Sequence, residues 1–294
     1  MPFRLLTWNI NGTSQQNQGP DQLAEVIRHH RIDLTLLQEV SVNNCTLDAA
    51  LTAELGAGNY TLQYHFANPS VHQRTWVDPQ APVARVAQPA SEERYAIIGR
   101  QRANGTYRVT INAIQALDYI NNVNVTNWVG ARTRGYQTPH NPAKVRRLSV
   151  PPLVDPNRYV ELGFRRPISI DATYNGLAYD IFCWHAPQGG GSGGANFSGR
   201  DAEPGHSLWI LAGGGSHHPG ARVILAGDLN ARAAGIIGLN QNWPYAVHPR
   251  TPNIHNDRVS HIYAKGTHIQ ELSRTRIRNL ANHSDHVALA AIVP

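Results

Sequence analysis

Residues 222–230 read RVILAGDLN, an apolar run that stops on Gly227-Asp228-Leu229-Asn230. A short apolar stretch ended by glycine and aspartate reads as a buried strand, here Arg222 to Gly227, that delivers polar residues at its end. Asp228 and Asn230 stand two apart on extended backbone, so their side chains point the same way and can reach one phosphate. Four more segments place polar residues at the end of a predicted strand: Thr7-Trp8-Asn9-Ile10-Asn11, Leu37-Gln38-Glu39, Trp184-His185 and Ser284-Asp285-His286. One carboxylate after a strand is usually a turn former, and one histidine there a polar tip; the information lies in the ordered set.

The rest of the chain supplies few helices and many strands. Phe3 to Asn11 alternates apolar and polar like a strand, and Gly19-Pro20-Asp21 opens a helix carrying Leu23, Val26 and Ile27 at helical spacing. Ile32 to Gln38 reads as a buried strand, and Thr46 to Leu55 as a helix with a Leu47, Leu51, Leu55 stripe, stopped by Gly56. Further strands are expected at Tyr60 to Phe66, Tyr95 to Arg100, Tyr107 to Ile114, Tyr159 to Ala172, Leu177 to His185, Val259 to Ala264 and His286 to Val293. Residues 118–157 lack periodicity and are rich in Pro, Asn and Arg, which predicts a surface excursion. Gln188 to Gly194 is a glycine-rich loop leading to a short helix around His206 to Leu211. With no internal repeat and no strong linker, one mixed α/β domain over 1–294 is expected.

Composition narrows the class. At 294 residues and 41% hydrophobic content the chain can bury a large core. Without a long apolar run or a leader-like start, a soluble protein without signal peptide is expected. Cys45 and Cys183 are too few for a disulfide framework and read as buried free thiols. A net charge of +6 suits a polyanionic partner, and with only two lysines, Lys144 and Lys265, arginine carries it. Lysine scarcity also fits a translocated toxin or effector that avoids ubiquitination, or simply a GC-rich genome.

Phosphoester hydrolysis needs a charge stabiliser, a base and an acid. Glu39 at a strand end offers a hard oxygen ligand for Mg²⁺, with Mn²⁺ or Ca²⁺ as alternatives, and Asn9 and Asp285 complete or support that shell. His185 and His286 are the natural pair for deprotonating water and protonating the leaving oxygen. Neither a serine nor a cysteine stands beside a base, which points to direct attack by water.

These segments, in this order, resemble the endonuclease/exonuclease/phosphatase superfamily, also called DNase I-like, from Thr7 to His286. Two weaker segments, Glu93-Arg94-Tyr95 and Asp257-Arg258-Val259, fall in the right places between the strong ones. The resemblance implies two mixed β-sheets packed face to face as a sandwich with helices on the outer faces. It implies that Glu93 pairs with His185 and Asp257 with His286, and that Asp228 and Asn230 orient the attacking water. Arg165 matches a family arginine near the scissile phosphate; neighbouring Arg166, and Asn11, are assigned with it to the substrate phosphate. Within the superfamily the chain is similar to the catalytic subunits of cytolethal distending toxins. Trp8-Asn9 with Gly12-Thr13-Ser14, His185-Ala186 running into Gly189-Gly190-Gly191, and Arg166-Pro167 before a strand carry that likeness. Such subunits act with delivery chains that this sequence does not identify. Where pancreatic-type enzymes place a groove-reading arginine, two residues after the metal-binding glutamate, this chain has Ser41.

Three functions compete. The favoured one is a DNA endonuclease of broad preference acting as a toxin or effector. The second is a phosphoinositide phosphatase or sphingomyelinase-type hydrolase using the same centre. Against it stand His255-Asn256 before Asp257, where inositol phosphatases carry tryptophan and cysteine, and the lack of an apolar docking segment. A binding module that kept the fold and lost activity ranks last, because Glu39, His185, Asp228, Asn230, Asp285 and His286 are all present.

Overall fold

Phe3–Asn9 forms β1, and its alternation sends Phe3 and Leu5 to one face and Leu6 and Trp8 to the other, all buried. A strand buried on both faces needs a layer on each side, and the architecture follows from that demand. The computed structural model describes residues 2–10, 19–40, 46–66, 94–102, 104–116, 168–185, 222–229, 243–249, 260–284 and 286–294. After β1 come α1 (Gly19–His29), β2 (Leu34–Val40), α2 (Leu47–Leu55), β3 (Tyr60–Phe66), β4 (Arg94–Arg100) and β5 (Thr110–Ala116). They are followed by β6 (Ile168–Tyr174), β7 (Leu177–His185), β8 (Arg222–Asp228), β9 (Tyr245–Val247), β10 (Ser260–Lys265) and β11 (Gln270–Glu271). A short helix α3 (Thr275–Asn279), a 3-10 turn (Leu280–His283) and β12 (Leu289–Val293) complete the set.

The strands make two six-stranded sheets, in the orders β11-β12-β1-β2-β4-β3 and β5-β6-β7-β8-β10-β9. Each sheet is mixed and holds one parallel pair near its middle, β1 with β2 and β7 with β8. Parallel neighbours require a crossover, and α1 supplies it between β1 and β2. Phe3, Leu5, Leu34, Leu36 and Ile97 of the first sheet pack on Ile170, Ile181, Cys183, Ile224 and Ile262 of the second. Edge-on contacts of Phe3 with Tyr174 (4.9 Å between centroids) and Tyr179 (5.4 Å) join the sheets at the end where β1 starts. On its other face the first sheet buries Leu6, Trp8, Leu37 and Ile98 against Leu23 and Ile27 of α1, Leu51 of α2 and Ile277 of α3. Each such aliphatic side chain contributes about 1.5–3 kcal/mol, so this layer fixes α2 and α3 although neither has a side-chain cap hydrogen bond. The expected sandwich of two mixed sheets is thus present, with helices outside the first sheet.

Several elements match their sequence limits. β3 and β7 coincide with the expected ends, and α2 stops at Gly56, whose φ is +86°. Asn175 and Gly176, both at positive φ, make the two-residue turn that pairs Tyr174 with Leu177. Other limits shift. The strand expected from Tyr107 begins at Thr110, because Tyr107 bridges Gln101 across a tight turn closed by Arg102 N–H donating to the Thr106 carbonyl at 2.7 Å. The run expected over Ile32 to Gln38 pairs from Leu34 to Val40. The final strand starts at Leu289 rather than His286. β9 and β11, three and two residues long, are too short to show periodicity. Residues 118–157, the loop at 188–194, the helix around 206–211 and residues 159–167 lie outside the described residues.

The parallel pair in the second sheet is unusually close at one point. A Cβ on Gly227, whose φ is +151°, would lie 2.0 Å from the Trp184 carbonyl oxygen, a backbone atom that cannot swing away. Gly227→Ala is therefore expected to lower the unfolding free energy by about 3 kcal/mol. Gly58→Ala meets only an unfavourable φ of +82° with nothing within 4 Å, and should cost about 1 kcal/mol. Urea denaturation of both variants measures the difference; equal losses would show that the approach of β8 to Trp184 imposes no constraint.

Candidate active site

The two parallel pairs end at the same edge of the sandwich, where β1 faces β8 and β2 faces β7. Pairing of Asn9 with Gln38 and of His185 with Asp228 sets the polar ends of all four strands side by side. Glu39 is aimed by a bulge: the β2–β4 register slips between Leu37 and Val40, and Glu39 adopts φ +54°. A bulge re-aims a side chain, and a non-glycine residue at positive φ stores strain that the surrounding packing must hold.

Asp228 lies at the centre with no exposed surface. Its Oδ2 accepts from Asn9 Nδ2 at 2.9 Å and faces His185 Nε2 at 3.6 Å and His286 Nδ1 at 3.4 Å. Asn9 Nδ2 also donates to Glu39 Oε1 at 3.1 Å, and His185 Nε2 stands 3.2 Å from the same oxygen. The Asn9 amide therefore spans the two carboxylates. His185 is buried, whereas the Glu39 side chain is 25% and that of His286 13% exposed, so the glutamate and His286 form the solvent-facing rim.

A second layer of contacts holds these groups. The Tyr95 hydroxyl, from the first sheet, accepts the His185 backbone N–H at 3.0 Å and ties β7 to β4. Ser284 Oγ donates to the Asn9 carbonyl at 2.7 Å and accepts the His286 backbone N–H at 3.1 Å, while Trp8 Nε1 donates to the His286 carbonyl at 3.1 Å. Beneath the cluster, Gln38 Nε2 donates to Thr7 Oγ1 at 3.0 Å and reaches Cys183 Sγ at 3.1 Å across the sandwich.

Of the residues singled out in the sequence, the fold brings Asn9, Glu39, His185, Asp228 and His286 into one cluster. Asn11, Glu93, Arg165, Arg166, Asn230, Asp257 and Asp285 lie outside the described residues. Tyr95 and Ser284 stand inside the quoted segments without having been given roles. Hydroxyl residues beside a charged motif are the signal for both. The cross-sheet reach of Gln38 has no sequence signal, since it depends on which strand of the other sheet lies opposite.

The donor set suits a hard divalent cation. Glu39 presents a partly exposed carboxylate whose Oε2 has no hydrogen-bond partner among the described residues, and Oε1 is held by Asn9. Among the described residues no group of three or more His, Cys, Asp and Glu side chains is arranged as a metal cage. Mg²⁺ commonly takes one or two carboxylates and keeps waters, so a single well-aimed glutamate fits it.

The chain matches the model of the Endonuclease/Exonuclease/phosphatase family over residues 6–286 and belongs to that family. Its members are hydrolases of phosphoester bonds that generally use divalent metals. No curated protein matches the chain in sequence. Among solved structures, it is similar to truncated Caenorhabditis elegans TDP2 (14% identity, 100% of this chain and 97% of that one, TM-score 0.57). An endonuclease/exonuclease/phosphatase family protein from Leptotrichia buccalis is also similar (16%, 99% and 99%, 0.58). So is the human Nocturnin catalytic domain with bound sulfate anion (13%, 100% and 93%, 0.56). At these identities the likeness is one of fold.

Ser284→Ala removes the two hydroxyl hydrogen bonds that link the Asn9 carbonyl to the His286 backbone N–H and leaves the Trp8 tie in place. Its unfolding free energy is expected to fall by about 1–2 kcal/mol and its phosphodiesterase turnover by about tenfold, the usual scale for a group that orients a functional side chain. Urea denaturation and steady-state hydrolysis of a small phosphodiester report the two effects; unchanged turnover would show that the loop position of His286 does not matter.

Proposed function

We propose that the chain is a divalent-metal-dependent phosphodiesterase that hydrolyses DNA, an endonuclease of broad sequence preference serving as a toxin or effector. The convergence of His185 and His286 on the buried Asp228, with Glu39 at the rim, carries this reading. The net charge of +6 supports a polyanionic substrate. A fold neighbour, the Nocturnin catalytic domain, binds sulfate, a tetrahedral anion of phosphate shape. The glycine-rich segment after His185 supports the toxin-like role.

The chemistry is direct displacement. Oxygen of water bonds to phosphorus as the bond to the leaving oxygen breaks; one imidazole takes the proton from water and the other gives one to the leaving oxygen. Asp228 Oδ2 faces His286 Nδ1 at 3.4 Å, which leaves Nε2 on the far side of the ring as the proton-carrying atom. His185 presents Nε2 to both carboxylates, and its backbone is fixed by Tyr95. Asn9 bridges Glu39 and Asp228 by donating to both. A bound Mg²⁺ would be held by Glu39, with Asn9 and Asp285 supporting that shell, and would neutralise the charge that develops on the phosphate oxygens.

Supercoiled plasmid nicking tests the proposal. Wild-type protein with Mg²⁺ should nick and should stop when EDTA is added, while His185→Ala and His286→Ala lose about 10²- to 10⁴-fold in rate. Absence of nicking by folded wild type with Mg²⁺, Mn²⁺ and Ca²⁺ would overturn it, and phosphate release from phosphoinositides would then identify the lipid-directed alternative.

A further inference from the structure

The end of the sandwich opposite the catalytic edge carries a different cluster. Asp33, just before β2, is buried and accepts the Arg4 backbone N–H at 2.9 Å. Around it stand Arg100 (Nη2 to Oδ1 3.6 Å) and Arg108 (Nη1 to Oδ2 3.7 Å), and Arg102 acts on the same carboxylate. Arg31, exposed and at φ +51°, joins Arg102 and Arg108 in opposing the charge of Arg100, for which Asp33 is the one favourable carboxylate among the described residues. Three guanidinium groups, of Arg100, Arg102 and Arg108, thus act on the Asp33 carboxylate, and Arg31 stands near enough to oppose Arg100. Burial also pushes the Asp33 carboxyl up and the Arg100 guanidinium down from their ordinary values.

Several of these arginines are fixed in place before any ligand arrives. Arg100 Nε donates to the Ile32 carbonyl at 2.9 Å, Arg108 Nη1 to the Pro2 carbonyl at 2.7 Å, and Arg102 sits on the tight turn closed by Thr106. Arg102 Nε is shielded from solvent and has no hydrogen-bond acceptor among the described residues. Elsewhere among the described residues Arg28 pairs with Glu54 and Arg276 with Glu25. Crowded, immobilised like charges are costly for folding and useful for binding an anion, and planar guanidinium forks match phosphate oxygens.

We propose that this arginine pole is a second binding site, one that takes the phosphodiester backbone of a nucleic-acid chain about 20 Å from the catalytic edge, the length of the seven-residue β1. The nucleic-acid ligand rests on the phosphodiesterase reading; the clustering of the arginines does not. A strand held here tethers a long substrate while another part of it meets His185 and His286.

Anisotropy of a fluorescein-labelled single-stranded DNA oligonucleotide, read in EDTA on the His185→Ala background, separates this proposal from catalysis. Adding Arg31→Asn and Arg102→Gln leaves the two Asp33 pairs intact, and asparagine suits the positive φ at position 31. That variant should bind about tenfold more weakly and lose about two from the slope of log affinity against log salt. The control Arg28→Gln with Arg276→Gln, which removes as much charge elsewhere, should bind as the parent does. Equal losses in the two pairs, or none in the first, would overturn the proposal. Preferential binding of polyglutamate or of phosphatidylserine vesicles over the oligonucleotide, lost in the first variant alone, would overturn it in favour of an acidic protein or a membrane surface. Equal melting temperatures confirm that the variants are folded, and Arg31→Asn alone, an exposed change, repeats the comparison if the double variant is not.

Discussion

The hydrogen bond from Asn9 to Asp228, buried and 2.9 Å long, joins the two sheets where their chemistry-bearing strands end. An ionised carboxylate removed from water costs several kcal/mol unless donors surround it, so Asp228 can occupy this place only if Asn9, His185 and His286 come with it. Those partners belong to β1, β7 and the loop before β12. One desolvated charge therefore couples both sheets and the carboxy-terminal segment, and the same contacts that satisfy it set the positions of the two imidazoles. Stability and site geometry are two readings of one arrangement.

Local backbone preference yields at this edge. Glu39 takes a positive φ inside a bulge, and Gly227 lets β8 pass the Trp184 carbonyl at a distance that no side chain would allow. The strain is tolerated because the strands on either side are buried on both faces; Leu36, Leu37 and Val40 have no exposure at all. Sites that need a group aimed off the regular pleat are where consistency between sequence and structure is expected to break.

What was legible in the sequence follows the same division. Strands with breakers at both ends, such as Leu177 to His185 after Asn175-Gly176, could be placed to the residue, because the turn needs positive φ and the strand needs apolar alternation. The site residues Asn9, Glu39, His185, Asp228 and His286 were legible as polar ends of apolar runs, and family resemblance gave them an order. Their mutual distances were not, since the approach of β1 to β8 and of β2 to β7 is set by core volume between sheets rather than by any local signal. Ser284 shows the limit well: its place beside Asp285-His286 marks it as a site hydroxyl, but that it also reaches the Asn9 carbonyl, far away in sequence, depends on how β1 lies against that loop. The arginine pole was visible only as a surplus of charge, because the clustering of Arg31, Arg100, Arg102 and Arg108 depends on which strands and turns meet at that end.

Cys183 points inward from β7 into the space between the sheets, and burial pushes its thiol up to about 12 against the modest opposing effect of Gln38. A thiol so rarely ionised is a poor nucleophile, and the layers on either side bar reagents from it. It becomes reactive only when the sandwich opens. The residue is in that sense a built-in clock: the rate at which an alkylating reagent reaches it measures how often, in the native protein, the two sheets come apart.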